Sequence, residues 1–259
     1  MIDNIIKNIF DSHSHYNDEK FDDNRDEILK SLPSKGIDKI INVSASEKDA
    51  YDCVNLAEKY DYIFASVGVH PYEIENLSQD YIYNLESLSK NKKVVAIGEI
   101  GLDYYNNNID KDLQKKIFED QLALASELKM PVIIHAREAD QDIINILKKF
   151  KLSGVIHCFS SDKEIAKILI QMGYYISFTG VITFKNNRKQ LESLSAVPIE
   201  RLLIETDCPY MAPEPHRGKI CDSSMLYYII KKIENIKNIP AQEIADITNK
   251  NAKELFNIK

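Results

Sequence analysis

The sequence has few cysteines and no pattern among them. Its four cysteines are Cys53, Cys158, Cys208 and Cys221, and they form no Cys-x-x-Cys pair. This scatter excludes the disulfide framework of small secreted domains and the ligand pattern of a zinc ribbon. Unpaired cysteines are typical of a reducing compartment, so we predict a cytoplasmic protein.

Long apolar runs and an excess of positive charge are also absent. No stretch approaches the ~18 apolar residues that a membrane-spanning helix needs, and MIDNIIKNIF at residues 1–10 lacks the pattern of a signal peptide. The net charge of −7 argues against extended binding along duplex DNA, because that affinity comes from Lys and Arg. A small cleft whose positive charge comes from metal ions is compatible with this balance. No feature indicates a membrane or an obligate protein partner.

Glycine is scarce, with 8 residues, and no Gly-Ser linker, low-complexity tract or short repeat divides the chain. The chain instead contains eight short apolar, β-branched runs separated by segments with helical spacing. The runs are NIFDSHSH, DKIINVS, IFASVGVHP, VVAIGEIGLD, PVIIHAR, SGVIHCFS, YYISFTG and LLIETDCP. Such alternation predicts a parallel sheet with crossover helices. Eight units in a chain close to the ~250 residues of a (β/α)8 barrel favour a single α/β TIM barrel domain over residues 1–259, with an open sheet as the alternative.

Five of the eight runs end in side chains that can bind a metal. These side chains are His13, His15, Glu99, His135, His157 and Asp207. Catalytic groups of a (β/α)8 barrel lie at the C-terminal ends of the strands, so we expect the six to converge. Each has an ordinary alternative as a hydrogen-bonded histidine or a loop carboxylate, but together they would be buried polar groups without partners. A divalent metal would satisfy them jointly, and we predict a metal site.

The mixed histidine and carboxylate set suggests two divalent cations. A shared carboxylate commonly joins two metals, and no lysine ends the fourth or fifth run to serve as a carboxylated bridge, so Glu99 is the expected bridge. The expected ligands are His13, His15 and Asp207 on one ion and His135 and His157 on the other. Mg, Mn and Zn all suit such a set.

Other polar residues near the predicted mouth suggest substrate contacts. Arg137 lies two residues past His135 and can bind a phosphate in bidentate fashion, with a salt bridge to a neighbouring acid as the alternative. His70, at the end of the third run, and Arg217, in a small basic cluster, are the other predicted substrate contacts. Glu205 is predicted to orient a metal ligand through a hydrogen bond.

Tyrosines and cysteines near the strand ends carry further predictions. Tyr104, Tyr105 and Tyr210 flank the predicted mouth, where stacking of nucleobases competes with simple packing. Cys158 and Cys208 each follow a predicted ligand, so strand alternation predicts that both face outward as buried apolar side chains.

Six motifs follow one another in a characteristic order. They are DSHSH at 11–15, GVHP at 68–71, GEIGLDYY at 98–105, PVIIHARE at 131–138, GVIHCFS at 154–160 and LLIETDCPYMAPEPHRGK at 202–219. With them the chain resembles the TatD family of metal-dependent deoxyribonucleases, within the amidohydrolase-like barrel superfamily. The resemblance implies a (β/α)8 barrel, two divalent metals and hydrolysis of DNA phosphodiester bonds, typically from single-stranded 3′ ends, with the family's metal positions on the six residues above. Residues 220–223 depart from it, because they read ICDS where the family commonly has RNEP.

The expected reaction is attack on phosphorus by a metal-activated water, with Asp207 as the general base and Glu99 as the catalytic bridge. Hydrolysis of an ester or amide, as in an aminoacyl-tRNA deacylase, is the alternative on the same centre. A non-enzymatic binding protein is the third possibility, although no predicted ligand is missing.

Overall fold

Eight parallel strands form one sheet in the computed structural model, which describes residues 5–105 and 108–259. The strands are β1 Ile9–Ser14, β2 Ile37–Val43, β3 Ile63–Val67, β4 Val94–Asp103, β5 Val132–Arg137, β6 Gly154–Ile156, β7 Tyr175–Phe178 and β8 Leu202–Ile204. Each strand pairs with the next along the chain. Ser14 and Cys208 form a parallel bridge between the two ends of the sheet, which closes it. The predicted (β/α)8 barrel is confirmed, and the open sheet is excluded.

Helices connect the strands on the outside. They are α1 Arg25–Ser31, α2 Glu47–Lys59, α3 Tyr81–Ser89, α4 Lys111–Leu128, α5 Asp140–Leu147, α6 Lys163–Gln171, α7 Arg188–Ala196, α8 Leu226–Lys237 and α9 Ala241–Leu255. Their apolar faces pack on the outward side chains of the strands, as amphipathic spacing predicts. None of the helices in the described ranges combines the length and hydropathy needed to span a membrane.

The interior of the barrel is a separate apolar cluster. Inward side chains such as Ile41, Ile133 and Leu203 fill it, and Phe256 and Ile258 close it from the N-terminal end of the strands. This packing leaves the opposite, C-terminal end of the barrel free for polar groups.

Two strands are shorter than the sequence runs suggest. β6 ends at Ile156 and β8 ends at Ile204, so His157 and Asp207 lie in the loops that follow these strands. Their backbone is still tied to the barrel, because the His157 amide donates to Ile134 and the Asp207 amide donates to His13.

Helix α9 is fastened to β8 by a buried amide. The Asn251 side chain donates to the carbonyl oxygens of Ile199 and Leu202, at 2.8 and 2.9 Å. We predict that Asn251→Ala lowers the free energy of unfolding by about 1–3 kcal/mol, because it leaves buried carbonyl groups without a donor. Urea unfolding measures this change. Lys250→Ala, at the exposed neighbouring position, is the control and should change stability by less than about 0.5 kcal/mol; equal effects of both substitutions would contradict the assignment.

Candidate metal centre

The six predicted ligands meet at the C-terminal end of the barrel. His13, Glu99 and His157 are buried, with at most 4% of their surface exposed. His15, His135 and Asp207 lie above them and line a cavity of about 1210 Å³ that opens to solvent. The convergence expected from the strand ends is therefore present.

Glu99 lies between two groups of histidines, and each of its carboxylate oxygens faces one group. Oε2 lies 3.3 Å from Nε2 of His13 and 3.7 Å from Nε2 of His15. Oε1 lies 2.7 Å from Nε2 of His157 and 2.9 Å from Nδ1 of His135. The distances to the two oxygens thus separate His13 and His15 from His135 and His157, and the assignment of these pairs to two metal ions stays a prediction.

Asp207 joins the first of these groups. Its Oδ1 atom lies 3.3 Å from Nε2 of His15 and 3.7 Å from Nε2 of His13. Its side chain is 14% exposed, so this carboxylate faces both the buried histidines and the cavity.

Glycines in the GEIG motif allow β4 to carry Glu99 into the centre. A Cβ atom at Gly98 would lie 2.6 Å from the Cβ atom of Ile133, and one at Gly101 would lie 2.0 Å from the carbonyl oxygen of His135. Gly101 also has a φ of +148°, which glycine adopts readily and other residues rarely do. Larger residues at these positions would push β4 away from β5.

Hydrogen bonds of the outer ring nitrogens orient two of the histidines, His15 and His135. Nδ1 of His15 donates to the Val43 carbonyl oxygen at 2.8 Å, and Nε2 of His135 donates to Oδ2 of Asp103 at 2.9 Å. A neutral imidazole has one N–H group, so the other nitrogen of each ring faces the centre with a free lone pair. Metal-binding histidines commonly have this arrangement.

A buried carboxylate lies near the outer nitrogen of His157. Its Nδ1 atom lies 3.4 Å from Oε1 of Glu205. Glu205 is fully buried, and it also accepts hydrogen bonds from the Cys158 amide and the Ser177 hydroxyl, both at 2.6 Å. Nδ1 of His157 has no hydrogen-bond partner among the described residues, so the orienting role of Glu205 stays a prediction.

The donor set fits divalent metal ions. Nε2 of His13 and Nε2 of His15 lie 3.0 Å apart, and Nδ1 of His135 lies 3.2 Å from Nε2 of His157. Nitrogen lone pairs and carboxylate oxygens thus point at shared points in a buried space, which is unfavourable unless a cation lies between them. Imidazole nitrogen with carboxylate oxygen suits Zn and Mn, and the carboxylates also suit Mg.

Without a cation, protons balance the charge of this centre. Burial disfavours a charge on Glu99, but the nearby His157, His70 and His13 hold its pKa well below its ordinary value. Burial likewise opposes a charge on His15, yet its contacts with Asp207 and Glu99 raise its pKa to about 9. Metal binding would therefore displace protons from the histidines.

The predicted substrate contacts lie at different distances from the centre. His70 and Arg137 both line the cavity, and Nε2 of His70 lies 3.6 Å from Oε1 of Glu99. The Arg137 guanidinium stacks on the Tyr105 ring at 3.8 Å and forms no ion pair with Glu138 or Asp140, all of which the structure describes. Arg217 does not line this cavity and packs on the Phe184 ring at 4.4 Å.

The three flanking tyrosines differ in their surroundings. The Tyr104 hydroxyl donates to Asp142 at 2.7 Å, which favours packing for that residue. Tyr210 lines the cavity and donates to Asp18. Tyr105 is 59% exposed, and its ring supports Arg137.

The prediction for Cys158 is wrong, whereas that for Cys208 is confirmed. Cys208 is fully buried. Cys158 is half-buried and lines the cavity. Strand alternation does not extend to Cys158, because β6 ends at Ile156 and the residue has a φ of +45°.

None of the four residues of the ICDS segment lines the cavity, and two of them pack into the protein. Cys221 and Ser223 are fully buried. The Ser223 hydroxyl donates to Asp11 at 2.6 Å, and Asp11 also accepts hydrogen bonds from the amide and hydroxyl of Thr206, next to Asp207. This buried network joins β1 to the Asp207 loop, so the unusual segment contributes to packing.

Sequence reasoning missed Asp103. A signal was available, because Asp103 lies four residues after Glu99 in GEIGLD and shares its strand face. One carboxylate oxygen of Asp103 accepts from His135, and the other accepts from the Tyr105 amide at 3.0 Å. Asp103 therefore connects a predicted ligand to the cavity wall that holds Arg137.

The chain is similar in sequence and fold to known proteins over nearly its whole length. The family model for TatD-related DNases matches residues 10–257. The chain is 39% identical to the uncharacterised metal-dependent hydrolase YabD of Bacillus subtilis, over 96% of this chain and 99% of that protein. It is 31% identical to the 3′-5′ ssDNA/RNA exonuclease TatD of Erwinia tasmaniensis, over 96% of this chain and all of that protein. The crystal structure of the TatD homologue YjjV from Escherichia coli K12 superposes with a TM-score of 0.92 at 28% identity, covering 98% of this chain and 100% of that one.

We predict that Asp103→Ala weakens Mn²⁺ binding by about 10–100-fold, because His135 loses the partner that fixes its tautomer and orientation. Calorimetric titration of the metal-free protein with Mn²⁺ measures the effect. Asp112→Ala, at a position 94% exposed on α4, is the matched control. Equal Mn²⁺ affinity in the two variants would contradict a role for Asp103 in the centre.

Proposed function

The chain belongs to the TatD-related DNase family of metal-dependent hydrolases, and on that premise we propose that it hydrolyses phosphodiester bonds in DNA. The proposed substrate is single-stranded DNA, which is shortened from its 3′ end. The proposed cofactors are two divalent cations, held by the six residues around Glu99.

The observation that carries the proposal is the position of the Glu99 carboxylate. Its two oxygens face two different histidine groups, and Asp207 faces the first group from the cavity side. A carboxylate placed in this way can bridge two cations, with His13, His15 and Asp207 on one and His135 and His157 on the other.

Two bound cations would supply Lewis acidity and make a water molecule acidic at neutral pH. The proposed role of Asp207 is to accept the proton of that water and to orient it for attack on phosphorus. Its partly exposed carboxylate suits this role, because its neighbours keep it ionised: burial opposes the charge, but the contacts with His15 and His13 lower its pKa.

Arg137 is the proposed contact for the phosphate. Its guanidinium lines the cavity and is held against the Tyr105 ring, and its planar set of N–H groups suits a bidentate phosphate contact. A cavity of about 1210 Å³ exceeds the ~300–1,000 Å³ of typical small-ligand sites and has room for the end of a strand. Arg217, which packs away from the cavity, stays a prediction.

The charge around the cavity supports action at a strand end. The cavity extends from the centre between the loop after β1 and helix α2. That extension is lined by three cations and five carboxylates, and its balance is therefore negative: Arg25, Lys48 and Lys59 against Asp18, Glu19, Asp22, Asp49 and Asp52. Phosphates are repelled there, so a nucleic-acid chain is better accommodated on the Arg137 side alone. The Erwinia relative is named a 3′-5′ ssDNA/RNA exonuclease, which supports the same polarity.

We predict that the protein with Mn²⁺ shortens a 5′-labelled single-stranded oligonucleotide stepwise from its 3′ end. Asp207→Asn should lower kcat by about 10²–10⁴-fold, because the amide cannot accept the proton. Gel analysis of the ladder over time measures both. Asp246→Asn, on α9 beside Asn8 at the opposite end of the barrel, is the matched control and should retain full activity.

A circular single strand and an aminoacyl-tRNA serve as parallel substrates. Cleavage of the circle would contradict the terminal mode of action. Release of the amino acid alone, with both DNA substrates intact, would contradict the nuclease proposal and favour the ester hydrolase.

A further inference from the structure

His70 differs from the other histidines of the centre in what its outer nitrogen contacts. Distance alone places it with Glu99 and His135 in a group able to hold a metal ion. The outer nitrogens of His15 and His135, however, face oxygen acceptors, whereas that of His70 faces a donor.

The local sequence His70-Pro71-Tyr72-Glu73 produces this contact. The Glu73 amide donates to the His70 carbonyl oxygen at 2.9 Å, which closes a turn whose second position suits proline. Within this turn the Tyr72 amide donates to Nδ1 of His70 at 3.1 Å. Because a backbone amide can only donate, Nδ1 of His70 must hold a lone pair.

The proton of the neutral His70 ring is therefore on Nε2, the nitrogen that points to the centre. A nitrogen that carries a proton has no lone pair to give to a metal. Its N–H group lies 3.6 Å from Oε1 of Glu99, which is too long for a hydrogen bond. The donor is thus aimed at the centre and is not used by Glu99.

The ring is also held in place. It packs edge-on against the rings of Tyr72 and His135, with centroids 5.0 and 4.4 Å away, and its side chain is 13% exposed. A fixed, desolvated N–H group beside the reacting atoms stabilises developing negative charge effectively, since it needs no reorganisation during the reaction.

We propose that His70 is a catalytic hydrogen-bond donor and not a metal ligand. Its Nε2–H group donates to a non-bridging oxygen of the phosphate under attack, and the proton stays on His70 throughout. This assignment rests on the proposed phosphodiesterase function. It adds which atom of His70 donates, in which tautomer, and to which oxygen of the substrate.

Nuclear magnetic resonance of the protein labelled with ¹⁵N-histidine tests the tautomer without turnover. Two-bond ¹H–¹⁵N correlations should show His70 protonated on Nε2 both before and after Zn²⁺ is added, whereas the ring nitrogens of His15 and His135 shift on addition. The His70 signals are assigned by their loss in His70→Gln. A proton on Nδ1, or a Zn²⁺-induced shift of Nε2 like that of the ligands, would overturn the proposal.

Substitution provides the second readout. His70→Ala should bind Mn²⁺ with the stoichiometry and affinity of the wild type, in contrast to His135→Ala, and should lower kcat by about 10²–10³-fold on single-stranded DNA. His70→Gln, whose side-chain amide retains a donor, should recover part of that loss. Weaker Mn²⁺ binding by His70→Ala, or unchanged kcat, would overturn the assignment.

Failure of the proposed function has a different signature. If the Mn²⁺-loaded wild-type protein hydrolyses neither DNA nor bis(p-nitrophenyl) phosphate, the phosphodiesterase proposal is contradicted. Phosphate is then also excluded as the acceptor of the His70 hydrogen bond. The resonance spectrum would still decide whether His70 is a donor or a ligand.

Discussion

The buried carboxylate of Glu99 determines which side chains can surround it at the C-terminal end of this barrel. Glu99 is 4% exposed, and a buried carboxylate is costly unless positive charge and hydrogen bonds compensate it. Histidines approach both of its oxygens, and glycines on either side of it allow β4 to come close to β5. The strands supply the framework, and the loops after β6 and β8 bring His157 and Asp207 to the same point. The arrangement is coherent as a cation site and unfavourable as a set of uncompensated polar groups.

The groups behind the histidines decide what each ring can do. A carbonyl oxygen on β2 and a carboxylate on β4 accept from the outer nitrogens of His15 and His135, which leaves lone pairs directed inward. The amide of Tyr72 does the reverse for His70. Among the five histidines around the centre, His15, His135 and His70 have hydrogen-bond partners on their outer nitrogens. We propose that these partners suit the first two to metal binding and the third to donation to substrate.

The barrel fold and the convergence of the six side chains were predictable from the sequence, because strand ends in a (β/α)8 barrel converge whatever their separation along the chain. The tautomers of His15 and His135 were not predictable. They depend on Val43 and Asp103, which lie 28 and 32 residues away along the chain and make contact only through the strand register. The rule that side chains alternate between the two faces of a strand also fails at two places. Ala96 and Glu99 are three residues apart and both face inward, which the register shift between Ile97 and Ile100 permits, and alternation misplaced Cys158 because its strand had ended.

The position of the cations relative to Glu99 tests the account most directly. A crystal of the protein equilibrated with excess Mn²⁺ would be measured for its anomalous scattering. We expect two peaks, one beside each oxygen of Glu99, the first bound by His13 and His15, the second by His135 and His157, and neither bound by His70. Saturating Mn²⁺ that leaves no peak within bonding distance of Glu99 would contradict the account.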